Sequence, residues 1–123
     1  AMVAEARSDL RRVEASLAQA KSDRSARFLA TLLAMRDAER RGEVFDRDIV
    51  PLAERTVQLS RQGYAAGAST YIDLIDAQRT LLDARLMAAE ARTMREKMLA
   101  ELEALAGMDI ETLSPAATTR PQE

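Results

Sequence analysis

Apolar and small residues recur at alternating steps of three and four along the first half of the chain. The members of this series, with a one-residue slip after Ala20, are Leu10, Val13, Leu17, Ala20, Phe28, Leu32, Met35, Gly42, Phe45, Ile49, Leu52, Thr56, Leu59 and Gly63. Such spacing is typical of a heptad seam on one helix, and the slip resembles a stutter. The pattern predicts a helix over residues 3–66, which would be about 95 Å long at about 1.5 Å per residue.

Two residues interrupt this predicted helix. Gly42 lowers the local helix propensity by about 1 kcal/mol relative to Ala. Pro51 lacks an amide proton and clashes with the preceding turn, so it favours a kink. The alternative is a break, in which Asp48 caps a new helix with Pro51 in its first turn. We favour the continuous, kinked helix.

A cluster of turn residues ends the first helix. Gly67 suits the left-handed backbone conformation that closes a helix. Thr70 and Asp73, three residues apart, form the pattern of a capping box, although Glu is the commoner third partner. We therefore expect a tip turn at residues 67–70 and a second helix over residues 71–106.

The second helix carries two apolar stripes. The inner stripe comprises Ala77, Leu81, Ala84, Ala88, Ala91, Met94, Met98, Leu102 and Leu105. The outer stripe comprises Ile72, Ile75, Leu82, Leu86 and Ala89. Two stripes predict two packed faces, as on a stave that has neighbours on either side.

Taken together, the pattern predicts an all-α fold: a long antiparallel two-helix coiled-coil hairpin with unequal arms. Gly107 is expected to close the second helix, and residues 108–123, which have no apolar period, are expected to form a flexible tail. About half of the first helix would then lack a partner within the chain. Its seam from Leu10 to Leu17 must pair with another molecule or with missing parts of a longer protein.

Composition excludes several kinds of chemistry. The chain has no Cys and no His, and its formal net charge is -2. These absences remove thiol nucleophiles, imidazole bases and the commonest metal ligands, and the charge gives no attraction to nucleic acid. No run of about 20 apolar residues is present, so no helix is expected to span a membrane. We expect no catalytic residues, no cofactor and no metal, and therefore not an enzyme.

The run from Gly63 to Leu81, GYAAGASTYIDLIDAQRTL, is similar to the periplasmic tip of TolC-family outer-membrane efflux proteins. The family pattern is Tyr-x-x-Gly, a short gap, an apolar-Asp-apolar-apolar-Asp-Ala-Gln run and a Leu-rich helix. Residues 51–54 and 102–107 also resemble the family, so the similarity covers residues 26–107.

This resemblance implies that the chain is the helical hairpin of a C-terminal repeat, cut from a larger polypeptide. It would form the periplasmic tunnel of a channel that is a homotrimer in the full-length protein. Its partners would be a periplasmic adaptor protein at the tip and, indirectly, an inner-membrane pump. The outer membrane would be reached only through strands that this chain lacks. The cargo, whether a metal ion, a drug or an exported protein, stays open.

Asp73 and Asp76 have two interpretations. They lie three residues apart and therefore share a helix face. Near a helix N-terminus, where the dipole favours acids, they would simply stabilise the helix. The resemblance instead implies that they line the narrowest part of the tunnel, where threefold repetition makes an acidic ring that attracts cations. Given the resemblance, we favour the ring.

The resemblance also implies a tip turn and adaptor contact formed by Tyr64, Gly67, Ser69 and Thr70. Tyr64 would pack the tip, or join a hydroxyl network that holds the tunnel shut. Some family members carry a basic residue where Ser69 stands. A closing salt bridge must here be built differently, for example from Arg61 or Arg79.

Two other patterns have ordinary explanations. Met87, Met94 and Met98 carry thioethers that bind soft metals such as copper, but their helical spacing in an apolar stripe favours core packing. The charged runs at residues 36–43 and 92–97 are typical of solvated helix faces.

Two alternative functions stay open. The first is a periplasmic adaptor hairpin, which is also a long coiled coil. Arg55 and Leu59 fit the adaptor tip pattern, but Ala66 stands where that pattern has Ser. The second is a generic coiled-coil interaction module of the cytoplasm.

Overall fold

The computed structural model describes the backbone of residues 1–113 and the side chains of residues 1–107. Its elements, in chain order, are α1 (Met2–Val44), a π-helical segment (Phe45–Ile49), α2 (Val50–Ala65) and α3 (Tyr71–Leu113). The predicted all-α hairpin is confirmed, because the helical run from α1 to α2 packs against α3 and no strand occurs among residues 1–113. The ends of that run agree with the predicted helix to within one residue.

The chain divides into two compact units, of which the first combines residues 1–33 with the described residues from Ala100 onward. In this unit Thr31, Leu102 and Leu105 are buried. Every residue from 1 to 23 is exposed, including Leu10, Val13 and Leu17. The expected unpartnered seam is therefore present, although it is shorter than the predicted half of the first helix.

The second unit, residues 34–99, holds most of the buried side chains. They are nearly all small, and they comprise Ala38, Ala53, Val57, Leu74, Ala77, Ala84 and Ala88. Small side chains allow the helix backbones to approach closely: a Cβ built on Gly42 would lie 3.8 Å from the Cβ of Ala91. Ala77, Ala84 and Ala88 of the inner stripe are thus packed within the hairpin, as predicted, whereas Met94 of the same stripe is 44% exposed. Leu74 extends the packed face toward the tip.

The π-helical segment occurs just before Pro51. The amide of Val50 donates to the carbonyl of Phe45, five residues back, so this turn contains one more residue than an α-helical turn. The run stays helical through Pro51, as we favoured, and the alternative break is wrong. No side chain caps α2, because Ile49, which precedes it, is itself helical.

The extra residue of the π-helical segment moves the seam. Before the segment, the seam includes Gly42, as predicted. After it, Ala53 and Val57 are buried, whereas Leu52 and Leu59 are 64% and 62% exposed. The predicted seam is therefore wrong after Ile49, because a strict heptad count cannot include a wide turn.

Helix α3 passes through Gly107 and ends at Leu113, so the predicted end at Ala106 is too early. A glycine inside a helix costs about 1 kcal/mol relative to alanine, which packing elsewhere along α3 can offset. The only positive φ among the described glycines is that of Gly67, so Gly107 is not a helix-ending residue. Of the predicted flexible tail, residues 108–113 are helical and residues 114–123 lie outside the described part of the chain.

Candidate functional site: the tip of the hairpin

The first helical run closes at a glycine-dependent turn. Gly67 has a φ of 70° and directly follows the helix cap. The amide of Ala68 donates to the carbonyl of Gly63 at 2.8 Å, and the amide of Gly67 donates to the carbonyl of Tyr64 at 3.1 Å. This pair of bonds is the Schellman motif, which satisfies the last free carbonyls of the helix. The sequence-based assignment of Gly67 to a left-handed position is confirmed.

Gly63 has a role that the sequence analysis did not find. A Cβ on Gly63 would lie 2.7 Å from the hydroxyl oxygen and 3.3 Å from the Cβ of Ser69. The Ser69 hydroxyl donates to the carbonyl of Ser60 at 3.3 Å, so Ser69 folds back over the end of α2. Two glycines four residues apart at a helix end could have suggested this close approach.

Thr70 begins α3 as its cap. The hydroxyl of Thr70 donates to a carboxylate oxygen of Asp73 at 2.7 Å, and the Thr70 amide donates to the same oxygen at 2.8 Å. In return, the amide of Asp73 donates to the Thr70 hydroxyl at 3.2 Å. The predicted capping box is therefore present. The bond from the Thr70 hydroxyl, followed by the bond from its amide, holds the pKa of Asp73 below the usual value of an aspartate.

Asp76 differs from Asp73 in its surroundings. Both carboxylates belong to exposed residues, and they lie about 60° apart around α3 at about 100° per residue. Asp73 is engaged in the capping box, which agrees with the helix-stabilising interpretation of that residue. Asp76 has no side-chain hydrogen bond or ion pair within residues 1–107. Asp76 is therefore the freer of the two predicted site residues to bind an external cation.

Two tyrosines stand on the two sides of the tip turn. The ring centroids of Tyr64, at the end of α2, and Tyr71, at the start of α3, lie 5.8 Å apart with the planes inclined by 59°. Both side chains stay about half exposed. Tyr64 thus contacts Tyr71, a partner that the sequence analysis missed, and its expected role in packing or closing the tip stays a prediction. Within the described residues, neither Arg61 nor Arg79 forms an ion pair that could close the tip.

Ion pairs connect the helices away from the tip. In the unit of residues 34–99, Arg85 donates to Glu54 at 2.8 Å, and Arg92 binds Asp46 through two nitrogens. In the other unit, Arg27 donates to Glu101 at 3.0 Å. All six side chains are partly exposed, so each pair contributes only about 0–1 kcal/mol. Asp46 belongs to the π-helical segment, which sets its position toward Arg92.

The methionines do not form a buried cluster. Met87 and Met94 are about half exposed and line a shallow groove with Ala38 and Phe45, while Met98 is partly buried. Core packing is therefore only partial for these side chains. No group of three or more His, Cys, Asp or Glu residues within the described part of the chain could hold a metal ion.

No helix among the described residues is long and apolar enough to cross a membrane. Comparison of the chain with protein-family models, with curated proteins and with solved structures gave no match.

Proposed function

We propose that this chain is a stave in the wall of a periplasmic tunnel, as the helical hairpin of a trimeric TolC-type outer-membrane efflux channel. The observation that carries the proposal is the second apolar face of α3. Ile72, Leu82 and Leu86 are exposed, although Ala77, Ala84 and Ala88 of the inner stripe are already buried within the hairpin. Leu86 follows Ala77 by nine residues, which is about 180° around a helix at about 100° per residue. A helix that is apolar on two opposite sides requires a neighbour on each side.

The polar residues of α3 support the same arrangement. Several of them fall on two faces between the apolar stripes, and each of these faces repeats every seven residues, whereas Arg79 and Thr93 share the heptad position of Ile72 and Leu86. One face carries Asp76, Asp83, Glu90 and Lys97, and the other carries Gln78, Arg85 and Arg92. In a tube of helices, neighbours cover two sides of each stave, while the lumen and the outer solvent meet the remaining two sides. The alternation of apolar and polar faces around α3 is the one that a tube requires.

In this proposal Asp76 and its neighbour Asp73 face the lumen near the tip. Both are exposed, and the Asp76 carboxylate has no hydrogen bond or ion pair among the described residues. Three copies around an axis would form an acidic ring whose charges repel one another and attract cations. The tip turn, with Tyr64, Ser69 and Thr70, would present a fixed surface to a periplasmic adaptor.

The outer stripe provides the direct test in the intact parent protein. Leu82→Glu places a charge on the exposed apolar face, and we expect it to abolish the trimer and the efflux activity. Thr80→Glu adds the same charge at an exposed position about 160° around the helix from Leu82, and it should leave the trimer intact. The isolated chain should melt at the wild-type temperature with Leu82→Glu, because Leu82 is exposed in the hairpin. A trimer that tolerates Leu82→Glu would contradict the proposal, as would a parent protein that forms no trimer.

A further inference from the structure

The N-terminal arm, residues 2–23 of α1, carries a heptad seam that is exposed along its whole length. Every residue of the arm is exposed. Val3, Leu10 and Leu17 are seven residues apart and occupy one core position of the heptad. Ala6, Val13 and Ala20 occupy the other core position. An exposed stripe of this kind is typical of an interaction surface.

We propose that the N-terminal arm binds the arm of a second copy of this chain as an antiparallel coiled coil, with Leu10 of one copy opposite Val13 of the other. The proposal rests on the arm alone and concerns the isolated chain, because a two-fold antiparallel pair cannot form between copies that run parallel around the threefold axis of the proposed channel. The charges beside the seam determine both the direction and the register of the two arms.

Arg7 and Glu14 lie on the same edge of the seam, directly beside its core positions. Neither the guanidinium of Arg7 nor the carboxylate of Glu14 has an ion-pair partner within the described residues of its own chain. In an antiparallel pair of helices, the same edge of each helix meets the same edge of its partner. With Leu10 opposite Val13, the two-fold axis therefore places Arg7 of each copy next to Glu14 of the other.

The other arrangements bring like charges together. An antiparallel shift by one heptad in one direction places Glu14 next to Glu14 of the second copy. A shift in the other direction places Arg7 next to Arg7. In a parallel pair, opposite edges meet, and Asp9 would face Glu14. Like charges at these edge positions destabilise a coiled coil, so charge complementarity favours one register of one orientation.

The proposed register also fits the length of the uncovered segment. Leu10 opposite Val13 pairs residues 1–22 of the two copies, and every residue from 1 to 23 is exposed. Along the seam, Leu17 meets Ala6 and Val3 meets Ala20, so large residues face small ones. Alternating large and small layers let the helices interdigitate without voids. The seam covers only about three heptads, so we expect weak association that depends on concentration.

Charge reversal tests the pairing in the full 123-residue chain. By sedimentation equilibrium up to millimolar concentration, the wild type should form a dimer. Glu14→Arg and Arg7→Glu should each raise the dissociation constant about tenfold or more, because each replaces two attractive pairs by two repulsive ones. An equimolar mixture of the two variants should associate as a heterodimer at least as tightly as the wild type, because each copy supplies the charge that the other lacks.

Two matched controls carry the same changes of net charge away from the seam. Glu5→Arg corresponds to Glu14→Arg, and Arg11→Glu corresponds to Arg7→Glu; both controls should dimerise as the wild type does. Circular dichroism verifies that every variant keeps its helix content. The proposal is overturned if the wild type is monomeric throughout, if Glu14→Arg behaves like Glu5→Arg, or if Glu14→Arg tightens the dimer, which would indicate the parallel arrangement.

Discussion

The hydroxyl oxygen of Ser69 lies 2.7 Å from the position that a Cβ on Gly63 would occupy, so any larger residue there would force Ser69 to move. Real Cβ atoms do not approach other atoms so closely, and the Cβ of Ser69, at 3.3 Å, cannot rotate away. The tip is therefore constrained at Gly63 as well as at Gly67.

Gly63→Ala should destabilise the hairpin by about 1–2 kcal/mol, because the steric cost outweighs the gain in helix propensity. Gly107→Ala is the matched control, since a Cβ at Gly107 would meet nothing within 4 Å. That variant should gain up to about 1 kcal/mol. Urea denaturation followed by circular dichroism measures both values. Adding Ser69→Ala to Gly63→Ala should recover part of the loss, and equal effects of the two glycine substitutions would contradict this view of the tip.

Part of the free energy of unfolding should be lost at acid pH, because the capping box needs the ionised carboxylate of Asp73. The folded-state pKa of Asp73 is lowered by the bonds from Thr70, so the stabilisation is fully present above the usual aspartate pKa of about 3.9. It is lost as the pH falls through the lower, folded-state pKa of Asp73. The melting temperature of the wild type should fall when the pH is lowered from neutral to below the folded-state pKa of Asp73. In the variant Asp73→Asn this side chain cannot ionise, so the same change of pH should lower the melting temperature by less.

Asp76→Asn is the control for that experiment, because the Asp76 carboxylate has no partner within the described residues. The variant Asp76→Asn should show the same fall in melting temperature between neutral and acid pH as the wild type. Thr70→Ala removes the cap itself and should cost about 1 kcal/mol at neutral pH. The capping account fails if Asp73→Asn retains the full wild-type difference.

The register shift after the π-helical segment can be tested by two polar substitutions. Val57 is buried, and Val57→Asn should destabilise the hairpin by about 2–4 kcal/mol because it leaves an amide without water in an apolar seam. Leu59 is larger but exposed, so Leu59→Asn should change the free energy of unfolding by less than about 0.5 kcal/mol. Urea denaturation of the isolated chain compares the two variants. The reverse order of the two effects would support the heptad count without a π-helical turn.

The hairpin could be predicted from the sequence because the interactions that end one helix and begin the next are local. Gly67, Thr70 and Asp73 act through bonds between near neighbours in the chain, and the two predicted helices end and begin around them as expected. The inner stripe of α3 is likewise periodic over many turns, so its burial could be predicted from spacing alone.

The seam after the π-helical segment and the contacts at the tip could not be predicted, because they depend on contacts that residue spacing does not reveal. A heptad count selects Leu52 and Leu59 because they are large and apolar, whereas the extra residue before Pro51 moves Ala53 and Val57 into the seam. The close approach of Gly63 and Ser69 and the tilted contact between the rings of Tyr64 and Tyr71 exist only once the tip turn has formed. The proposed lumen-facing role of Asp76 depends on copies of the chain around an axis, which a single chain cannot display.

Cation block of the intact parent channel tests the central proposal most directly. In single-channel recordings, the wild type should be blocked by divalent cations added on the side of the tip, and Asp73→Ala with Asp76→Ala should remove the block and weaken cation selectivity. Glu96→Ala with Glu103→Ala removes the same charge from another face of α3, so that control should keep the block. If Asp73→Ala with Asp76→Ala leaves the block unchanged, the two aspartates do not line a constriction and the proposed acidic ring is wrong.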